Sequence, residues 1–533
     1  MDTLLTAEIA ANAPRYRRKS STFIDGIHDV PEAEDLAPAQ LYSTMSGRLF
    51  HSGRIAIVMV GLPARGKTHI CVSMARYLQW LGVKTPSVVL RQKILKKCRE
   101  DIYSWLNHEN GQVAIYDAVN PTASGRRSLA KEFAKHDVQT LFLESYVDDE
   151  EILKENARNV KISSPDFADM DPDEAANLYL RRIQDKIPVF DTMAETELNY
   201  VKMINAGRGF FYNNVSFNYL SHRIVFYLTN LHIKSRTTYF VRGGTTAEDD
   251  SYKADAPLNE AGKAYAVKMT DALLKHREEE HQKLVEQGGA EVPLRPLAVW
   301  TSTRLRTIQT AEPLREQGYK IRQRSQMGQI NPGILGNYSQ RVIRKLYPEE
   351  VERHEVDPYH HRYPRAESYH DLAVRLEPII LELEREQSDL LIIAHESVLR
   401  VLYAYLMHCS TMDIPTLKFP RDEIIEIIPA AYQNEAKRIH IPGLDPSMVP
   451  GSPEDFRIPM TDATTPPNGG PLSPIPGMSS PAEPVPAMPG GGIGPSGIGG
   501  GAAAEAMVSR PPEKVINTAA DGIKDKSVKP LAT

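Results

Sequence analysis

The chain has 533 residues, enough for several domains, and its 25% charged and 41% apolar residues are typical of globular protein. The formal net charge of −5 disfavours a general nucleic-acid binder, and no uncharged apolar stretch is long enough to predict a membrane span. The three cysteines, Cys71, Cys98 and Cys409, are far apart, which disfavours a disulfide framework or a cysteine zinc site. Because the N-terminus also lacks a secretory pattern, we expect a cytoplasmic protein.

Both terminal segments have the composition of disordered chain. Residues 446–533 contain proline- and glycine-rich runs such as PGGGIGPSGIGGG, which cannot bury enough apolar surface to offset their ordering entropy. Residues 1–47 form a similar but more charged arm. The arm contains RRKSS at residues 17–21, which fits a phosphorylation site for a basophilic protein kinase at Ser20, although a solvated basic run explains the pattern equally well.

Between these segments, short β-rich runs alternate with helical patterns, which predicts an α/β architecture. A buried strand is predicted at residues 54–60, followed by a glycine-bearing loop. A helix follows, with Ile70, Met74 and Leu78 on one face and Gly82 at its end. Further strands are predicted at residues 113–116, 140–144, 237–241, 297–300 and 389–394.

The loop after the first strand matches the phosphate-binding pattern G-x-x-x-x-G-K-[ST]. Its residues are Gly61, Leu62, Pro63, Ala64, Arg65, Gly66, Lys67 and Thr68. In this pattern the backbone N–H groups bind phosphates, the lysine reaches the β- and γ-phosphates, and the threonine hydroxyl holds Mg²⁺. The sequence therefore predicts a site for ATP with Mg²⁺, and Asp117, at the end of the 113–116 strand, is a candidate second metal ligand or proton acceptor.

A second group of polar residues follows three later strands. Arg242-Gly243-Gly244-Thr245 follows one strand, TSTRLRTIQTA with Arg306 follows the next, and His395 follows the last. Because the carboxyl ends of the strands meet at one edge of a sheet, two arginines and a histidine there predict a phosphate pocket. A phosphohistidine mechanism would also need a histidine nucleophile and a carboxylic acid, and neither is evident.

The order of these motifs resembles the bifunctional 6-phosphofructo-2-kinase/fructose-2,6-bisphosphatase family over roughly residues 50–442. The similarity is carried by GLPARGKT, YDAVNPT, VKISSPDF, NYVKMINAGRGF, TSTRLRTIQTAE and HRYPRAESYHDL. The resemblance implies an adenylate-kinase-like P-loop domain at residues 48–233. It also implies a phosphoglycerate-mutase-like histidine-phosphatase domain at residues 234–445.

The resemblance assigns roles to several kinase residues. Lys67, Asp117 and Lys161 match catalytic positions, Asn156 to Lys161 matches an ATP-binding stretch, and Thr68 and Asp117 match metal ligands. Positions near family contacts to the sugar phosphate are Thr122, Arg126 and Arg182.

The chain departs from the family pattern in two places. The family's second strand and its G-x-Y-R-R segment, which carries a sugar-phosphate arginine, are absent near residues 86–90. A skipped exon or a gene-model error is the favoured explanation, and a functional shortened form is the alternative. In the phosphatase-like domain Gly243 replaces the nucleophilic histidine and Gln329 replaces the acid glutamate, whereas Arg242, Arg306 and His395 remain.

The sequence thus favours a 6-phosphofructo-2-kinase that transfers the γ-phosphoryl group of ATP to O2 of fructose 6-phosphate and has lost its bisphosphatase activity. The first alternative is a regulatory or scaffold pseudoenzyme, and the second, less favoured, is an active fructose-2,6-bisphosphatase. Fructose 6-phosphate and ATP are the expected substrates. Candidate protein partners are a second copy of the chain and a basophilic protein kinase acting on the N-terminal arm, and neither a nucleic acid nor a membrane is expected.

Overall fold

The computed structural model describes residues 37–39, 54–83, 85, 95–109, 111–162, 172–186, 189–215, 218–233, 236–246, 255–286, 293–338, 340–430 and 433–444. The expectations for Ser20, for nearly all of the two terminal segments and for the join near residues 86–90 lie outside these ranges. Two β-sheets organise the described chain, one in its N-terminal half and one in its C-terminal half.

The first sheet has five strands in the order β2-β1-β3-β4-β5. They span Ile55–Val60 (β1), Val113–Tyr116 (β2), Gln139–Tyr146 (β3), Tyr200–Ile204 (β4) and Gly209–Asn213 (β5). Strands β1 to β4 are parallel, and β5 is antiparallel to β4. Within the described residues β2 pairs with β1 alone and forms one edge of the sheet.

Among the described residues, six helices accompany this sheet, together with a 3-10 turn at Asn205–Gly207. They are Lys67–Trp80 (α1), Leu95–His108 (α2), Ala123–Lys135 (α3), Glu150–Ile162 (α4), Pro172–Lys186 (α5) and Tyr219–Asn230 (α6). Alternate residues of β1 face opposite sides of the sheet, as the two-residue period of a strand requires. One set packs with α1 and α6, and the other packs with α2 and α3.

The second sheet has six strands in the order β11-β10-β6-β9-β7-β8. They span Thr238–Arg242 (β6), Leu297–Thr301 (β7), Ile321–Gln323 (β8), Asp389–Ala394 (β9), Glu423–Ile428 (β10) and Glu435–His440 (β11). The four strands β6, β9, β7 and β8 are parallel, whereas β10 is antiparallel to both of its neighbours.

In the part of the chain that the structure describes, eight helices accompany the second sheet. They are Glu260–Glu286 (α7), Leu305–Thr310 (α8), Glu312–Glu316 (α9), Gln340–Leu346 (α10), Pro348–Val356 (α11), Tyr369–Arg375 (α12), Glu377–Arg385 (α13) and Glu396–Met407 (α14). Three 3-10 turns are also described, at Ser325–Met327, Gly333–Asn337 and Ile414–Thr416.

The two halves share packing across their boundary. Trp80, at the end of α1, belongs to the apolar core of the second half, and Leu381 on α13 packs in the core of the first. Ala39 is 2% exposed, and its N–H donates to the carbonyl oxygen of Trp80 at 2.9 Å. The Tyr359 hydroxyl donates to Pro38 O at 2.6 Å, so residues 38 and 39 contact both halves. No helix of the described ranges has both the length and the hydropathy to cross a bilayer.

Candidate active sites

The loop between β1 and α1 adopts a conformation that depends on its glycines. Gly61 has φ 135° and Gly66 has φ 78°, both in the region that glycine tolerates best. A Cβ at position 61 would lie 2.7 Å from the carbonyl oxygen of Ser145, closer than normal contact. The Ser145 hydroxyl donates to Arg65 O at 2.5 Å, which fixes the loop against β3. The loop therefore has the left-handed turns and the helix N-terminus that a phosphate cradle requires.

Lys67 lies at the first position of α1 and folds back over the loop. Its Nζ donates to the carbonyl oxygen of Leu62 at 2.8 Å. Burial lowers the pKa of Lys67 to about 8, although the nearby Asp117 acts in the opposite direction. The lysine is therefore still mainly charged at pH 7, next to the N–H groups at the start of α1.

Thr68, at the start of α1, and Asp117, directly after β2, lie close together. The Thr68 hydroxyl donates to Asp117 Oδ2 at 3.2 Å. Residues of β1 and β2 pair in parallel from Ile55 and Val113 to Val58 and Tyr116, so both sites follow strand ends at one edge of the sheet. Hydroxyl and carboxylate oxygens suit Mg²⁺, which keeps several waters and takes the rest of its ligands from substrate phosphates. These two side chains therefore fit the predicted metal.

Helix α4 approaches the same loop from the other side. Asn156 Nδ2 donates to the carbonyl oxygen of Ala64 at 3.2 Å, so one residue of the predicted ATP-binding stretch contacts the cradle. Lys161 lies in α4, and its side chain is outside the described part of the chain.

The predicted sugar-phosphate residues occupy three different environments. Thr122 is the N-cap of α3, and its Oγ1 accepts from Gly125 N at 3.2 Å. Arg182 lies at an exposed position of α5. Arg126 is fully buried, and its Nε is 2.7 Å from Glu195 Oε1.

The environment of Arg126 argues against its expected role. Its Nη1 also donates to the carbonyl oxygens of Asn120, Pro121 and Asp191 at 3.0, 3.2 and 2.9 Å. A guanidinium with these partners and no exposed surface anchors the loop around α3 and cannot reach a sugar phosphate without breaking this network. Arg126 therefore forms structural contacts here, and its role near the sugar phosphate stays a prediction.

The second group of polar residues does converge, at the ends of β6, β7 and β9. Arg242 pairs with Ala394, and Thr301 pairs with Ile393, so the residues that follow these strands lie side by side. Gly243 N donates to Ala394 O at 3.0 Å. Ser302 Oγ lies 3.2 Å from His395 Nε2. Position 243 therefore lies next to His395 but carries no side chain.

His395 is 6% exposed, and several arginine side chains lie near it. Burial, together with the charges of Arg306, Arg304, Arg242 and Arg375, lowers its pKa to about 3. The imidazole is therefore neutral over the physiological pH range. The cluster of guanidinium groups suits an anionic phosphate, as the sequence predicts.

The two arginines of the motif, Arg242 and Arg306, each contact a neighbouring side chain. Arg242 Nη1 lies 3.0 Å from Glu396 Oε2, and Arg306 Nη2 donates to Thr246 Oγ1 at 2.6 Å. Gln329, at the position of the missing acid, is partly buried in the loop after the Ser325–Met327 turn. An amide at this position cannot supply the proton that a carboxylic acid would.

Sequence reasoning missed two residues that shape this pocket. Glu396 directly follows His395 in the sequence, and this adjacency could have indicated that Glu396 lies in the pocket as the partner of Arg242. Arg375 forms an ion pair with Glu367 at 2.9 Å and donates to Gly328 O at 3.2 Å, which positions the loop that carries Gln329. Nothing in the spacing of Arg375 indicates this contact, since the partner loop lies 47 residues away.

Two family models match adjoining parts of the chain. A model described as 6-phosphofructo-2-kinase matches residues 42–90 and 85–235, and one described as the histidine phosphatase superfamily (branch 1) matches residues 238–441. The two kinase matches meet at residues 85–90, where the sequence predicts a missing segment. The expected fold class, a P-loop kinase domain followed by a histidine-phosphatase domain, is confirmed.

Several relatives resemble the chain along most of their length. A Saccharomyces cerevisiae protein with a provisional 6-phosphofructo-2-kinase/fructose-2,6-bisphosphatase name is 39% identical over 457 residues, which are 79% of this chain and 89% of the yeast protein. The 6-phosphofructo-2-kinase/fructose-2,6-bisphosphatase 3 of Rattus norvegicus is 36% identical over 419 residues, 72% of each chain. The Homo sapiens 6-phosphofructo-2-kinase/fructose-2,6-bisphosphatase 1 is 34% identical over 424 residues, covering 74% of this chain and 85% of the human one. The chain therefore belongs to the 6-phosphofructo-2-kinase/fructose-2,6-bisphosphatase family.

Proposed function

We propose that the chain is an ATP-dependent 6-phosphofructo-2-kinase whose bisphosphatase activity is lost. The observation that carries the proposal is the position of the Thr68 hydroxyl 3.2 Å from Asp117 Oδ2, beside a P-loop whose lysine is at the start of α1. This pair of oxygens next to a phosphate cradle is what Mg²⁺-ATP requires. The substrates assigned to the kinase are ATP and fructose 6-phosphate, and the assigned product is fructose 2,6-bisphosphate, a regulator of glycolysis in the cytoplasm.

Each residue of the site has a defined task in this proposal. The N–H groups of residues 61–68 and the Lys67 ammonium bind the phosphates of ATP and stabilise the negative charge that spreads over the transferring group. Thr68 and Asp117 would hold Mg²⁺, which would supply positive charge to the phosphates of ATP. Asp117 also orients the acceptor hydroxyl, and Lys161 on α4 adds a second positive charge.

The loss of phosphatase chemistry follows from two substitutions. Gly243 lies where the family has its nucleophile and offers no atom that can attack phosphorus. Gln329 cannot protonate the departing sugar oxygen. His395 is held by Ser302 on the neighbouring strand, where it suits stabilisation of a bound phosphate.

A regulatory subunit without kinase activity is the second candidate function, and one observation favours it. Arg126 is committed to Glu195 and three carbonyl groups, and the family segment that carries another sugar-phosphate arginine is the one predicted to be absent. A chain that binds ATP but binds fructose 6-phosphate poorly would act by binding and regulating other proteins.

Nucleotide binding and turnover of matched lysine variants test the proposal. Lys67→Met removes the ammonium at the β- and γ-phosphates, so we expect a large loss of turnover with the fold retained. Lys131→Met on the exposed side of α3 removes the same charge elsewhere and should leave both quantities unchanged. Equal ATP affinity and equal turnover in the two variants would contradict the assignment.

A further inference from the structure

A cavity lies between the P-loop helix and the second half of the chain, and none of its lining residues belongs to either candidate active site. Its volume is about 40 Å³, and it is lined by His69 and Arg76 of α1, Glu384 of α13, Arg236 and Thr238 at the start of β6, and Asn434 before β11, among others. About 10–15 Å³ of such volume accommodates one water. The cavity therefore has room for a few heavy atoms and is too small for a nucleotide or a sugar.

The lining carries more positive than negative charge. Two guanidinium groups face a single carboxylate. His69 and His232 add two imidazoles, and burial lowers the pKa of His69 to about 4, so its ring is neutral at pH 7. Arg76 Nη2 lies 2.7 Å from Glu384 Oε1, which also accepts from the Tyr405 hydroxyl at 2.6 Å. The carboxylate is therefore already shared by one cation and one hydroxyl.

Arg236 has no carboxylate partner of its own within the described ranges. Its Nη1 donates to Thr238 Oγ1 at 2.7 Å, and its Nη2 donates to the carbonyl oxygen of Leu383. These bonds use two of its five N–H donors. Burial lowers the pKa of Arg236, although the charges of Glu384, Glu386 and Asp389 act in the opposite direction, so nearby carboxylates compensate its charge only in part.

Arg76 also has an unused donor. Its Nε is buried, and no acceptor among the described residues forms a hydrogen bond with it. Leaving a buried donor of a charged group unsatisfied is costly, and such groups are commonly completed by a bound ion or water.

We propose that this cavity binds a small oxyanion, either inorganic phosphate or the carboxylate of a small acid. The oxygens of the anion accept from Arg76 and Arg236, whose N–H groups present planar donor edges suited to carboxylate or phosphate. The bound negative charge compensates the second guanidinium. The site lies directly behind the ATP cradle, because His69 follows Thr68 on α1, and it is independent of whether the chain is a kinase.

Calorimetric titration of the full chain with inorganic phosphate tests the proposal. Lys67→Met and Arg306→Met are combined as the background, so that the ATP cradle and the phosphatase-like pocket do not dominate the signal. We expect one remaining phosphate site, weakened at least about tenfold by Arg236→Gln, which corresponds to about 1.4 kcal/mol. Arg385→Gln, at an exposed position next to Glu384, should leave it unchanged. Absence of a remaining site, or equal affinity in the Arg236→Gln and Arg385→Gln chains, would overturn the proposal.

A second variant covers the case in which Arg236→Gln fails to fold. His69→Met places a larger apolar side chain in the cavity, and no hydrogen bond to the His69 ring occurs among the described residues, so the fold should persist while phosphate binding is lost. Retained binding in His69→Met would overturn the site.

Two further measurements identify the chemical class of the ligand and the location of its binding site. Titration with acetate distinguishes a carboxylate from phosphate, and chloride binding as tight as either would contradict an oxyanion site. Crystals soaked in selenate should show anomalous density between Arg76 and Arg236, and density confined to residues 61–68 or to the Arg242 pocket would overturn the assignment.

Discussion

Arg76 on α1 and Glu384 on α13 form a 2.7 Å ion pair that joins the helix of the ATP cradle to the phosphatase-like half of the chain. Their side chains are 13% and 8% exposed. Burial alone would raise the pKa of Glu384, but Arg76 and the Tyr405 hydroxyl hold it below its ordinary value. The pair is therefore charged throughout the neutral pH range, and its contribution depends on both partners being present.

Removal of one partner should strongly destabilise the chain. Arg76→Met leaves Glu384 buried without its guanidinium, which we expect to cost about 3–5 kcal/mol in unfolding free energy. The control is Arg127→Met, which removes the arginine of an ion pair with Glu197 in which both side chains are half exposed, and it should leave the urea midpoint nearly unchanged. A double change of Arg76 and Glu384 to methionine should cost less than the two single changes added together. Equal midpoints for Arg76→Met and Arg127→Met would contradict this interpretation.

Arg126 should behave as a structural residue in the same assay. Arg126→Lys loses most of the bonds to Glu195 and the three carbonyl groups, so we expect a lowered unfolding midpoint and aggregation-prone protein. If Arg126 were instead a direct ligand of the sugar phosphate, the variant would keep its stability and show only a raised KM for fructose 6-phosphate. Measuring both quantities on one preparation separates the two roles.

The lowered pKa of Lys67 predicts a pH dependence of nucleotide binding. In the free protein the ammonium is about 90% charged at pH 7 and about 10% charged at pH 9, given a pKa of about 8. Bound phosphates favour the charged form, so the Kd for Mg²⁺-ATP should rise about tenfold between these pH values. The Kd of Lys67→Met should be flat over the same range, and parallel profiles for the two proteins would rule out Lys67 as the titrating group.

Restoring the missing nucleophile should need more than one substitution. A Cβ at position 243 would lie 3.2 Å from Thr307 Cγ2, so Gly243→His forces that methyl group to shift. Thr307→Ser removes the methyl and keeps the hydroxyl that lies 2.8 Å from Ser302 Oγ. We expect a trace of phosphohistidine from fructose 2,6-bisphosphate with Gly243→His, and more when Thr307→Ser is added.

Turnover in this series should depend on the general acid. Adding Gln329→Glu supplies a proton donor for the leaving oxygen, worth roughly 10² to 10⁴ in rate. Phosphate release by the unchanged chain at the rate of the triple variant would show that another nucleophile is present and that the loss of bisphosphatase activity is wrongly inferred.

Much of the P-loop half could be predicted from the sequence because its signals are local. The pattern of residues 61–68, the strand before it and the helix after it all lie within some thirty positions, and Ile70, Met74 and Leu78 are buried as predicted. The strand at residues 113–116 is also found as predicted, with Asp117 directly after it. Glycine spacing and the helical period act over a few residues, so they can be read without the fold.

The contacts that could not be predicted from the sequence join residues that are far apart in the chain. Arg126 matched a sugar-phosphate position, and only the fold shows that Glu195, 69 residues later, neutralises it. The partner of Arg76 is 308 residues away. Strand β11 was missed because it is largely exposed and polar, so it has little of the alternating apolar pattern on which strand prediction relies.

The most direct test of kinase function is the formation of fructose 2,6-bisphosphate from Mg²⁺-ATP and fructose 6-phosphate by the 533-residue chain. We predict formation that is lost in Asp117→Asn and retained in Asp137→Asn, an exposed turn residue whose φ of 57° suits asparagine equally well. Saturation should require far more fructose 6-phosphate than ATP, since the sequence predicts that the G-x-Y-R-R arginine of the family is missing. Robust activity with tight fructose 6-phosphate binding would contradict the predicted gap. Tight ATP binding with no formation of fructose 2,6-bisphosphate at any concentration of fructose 6-phosphate would contradict the proposed kinase activity. It would favour the role of a regulatory subunit instead.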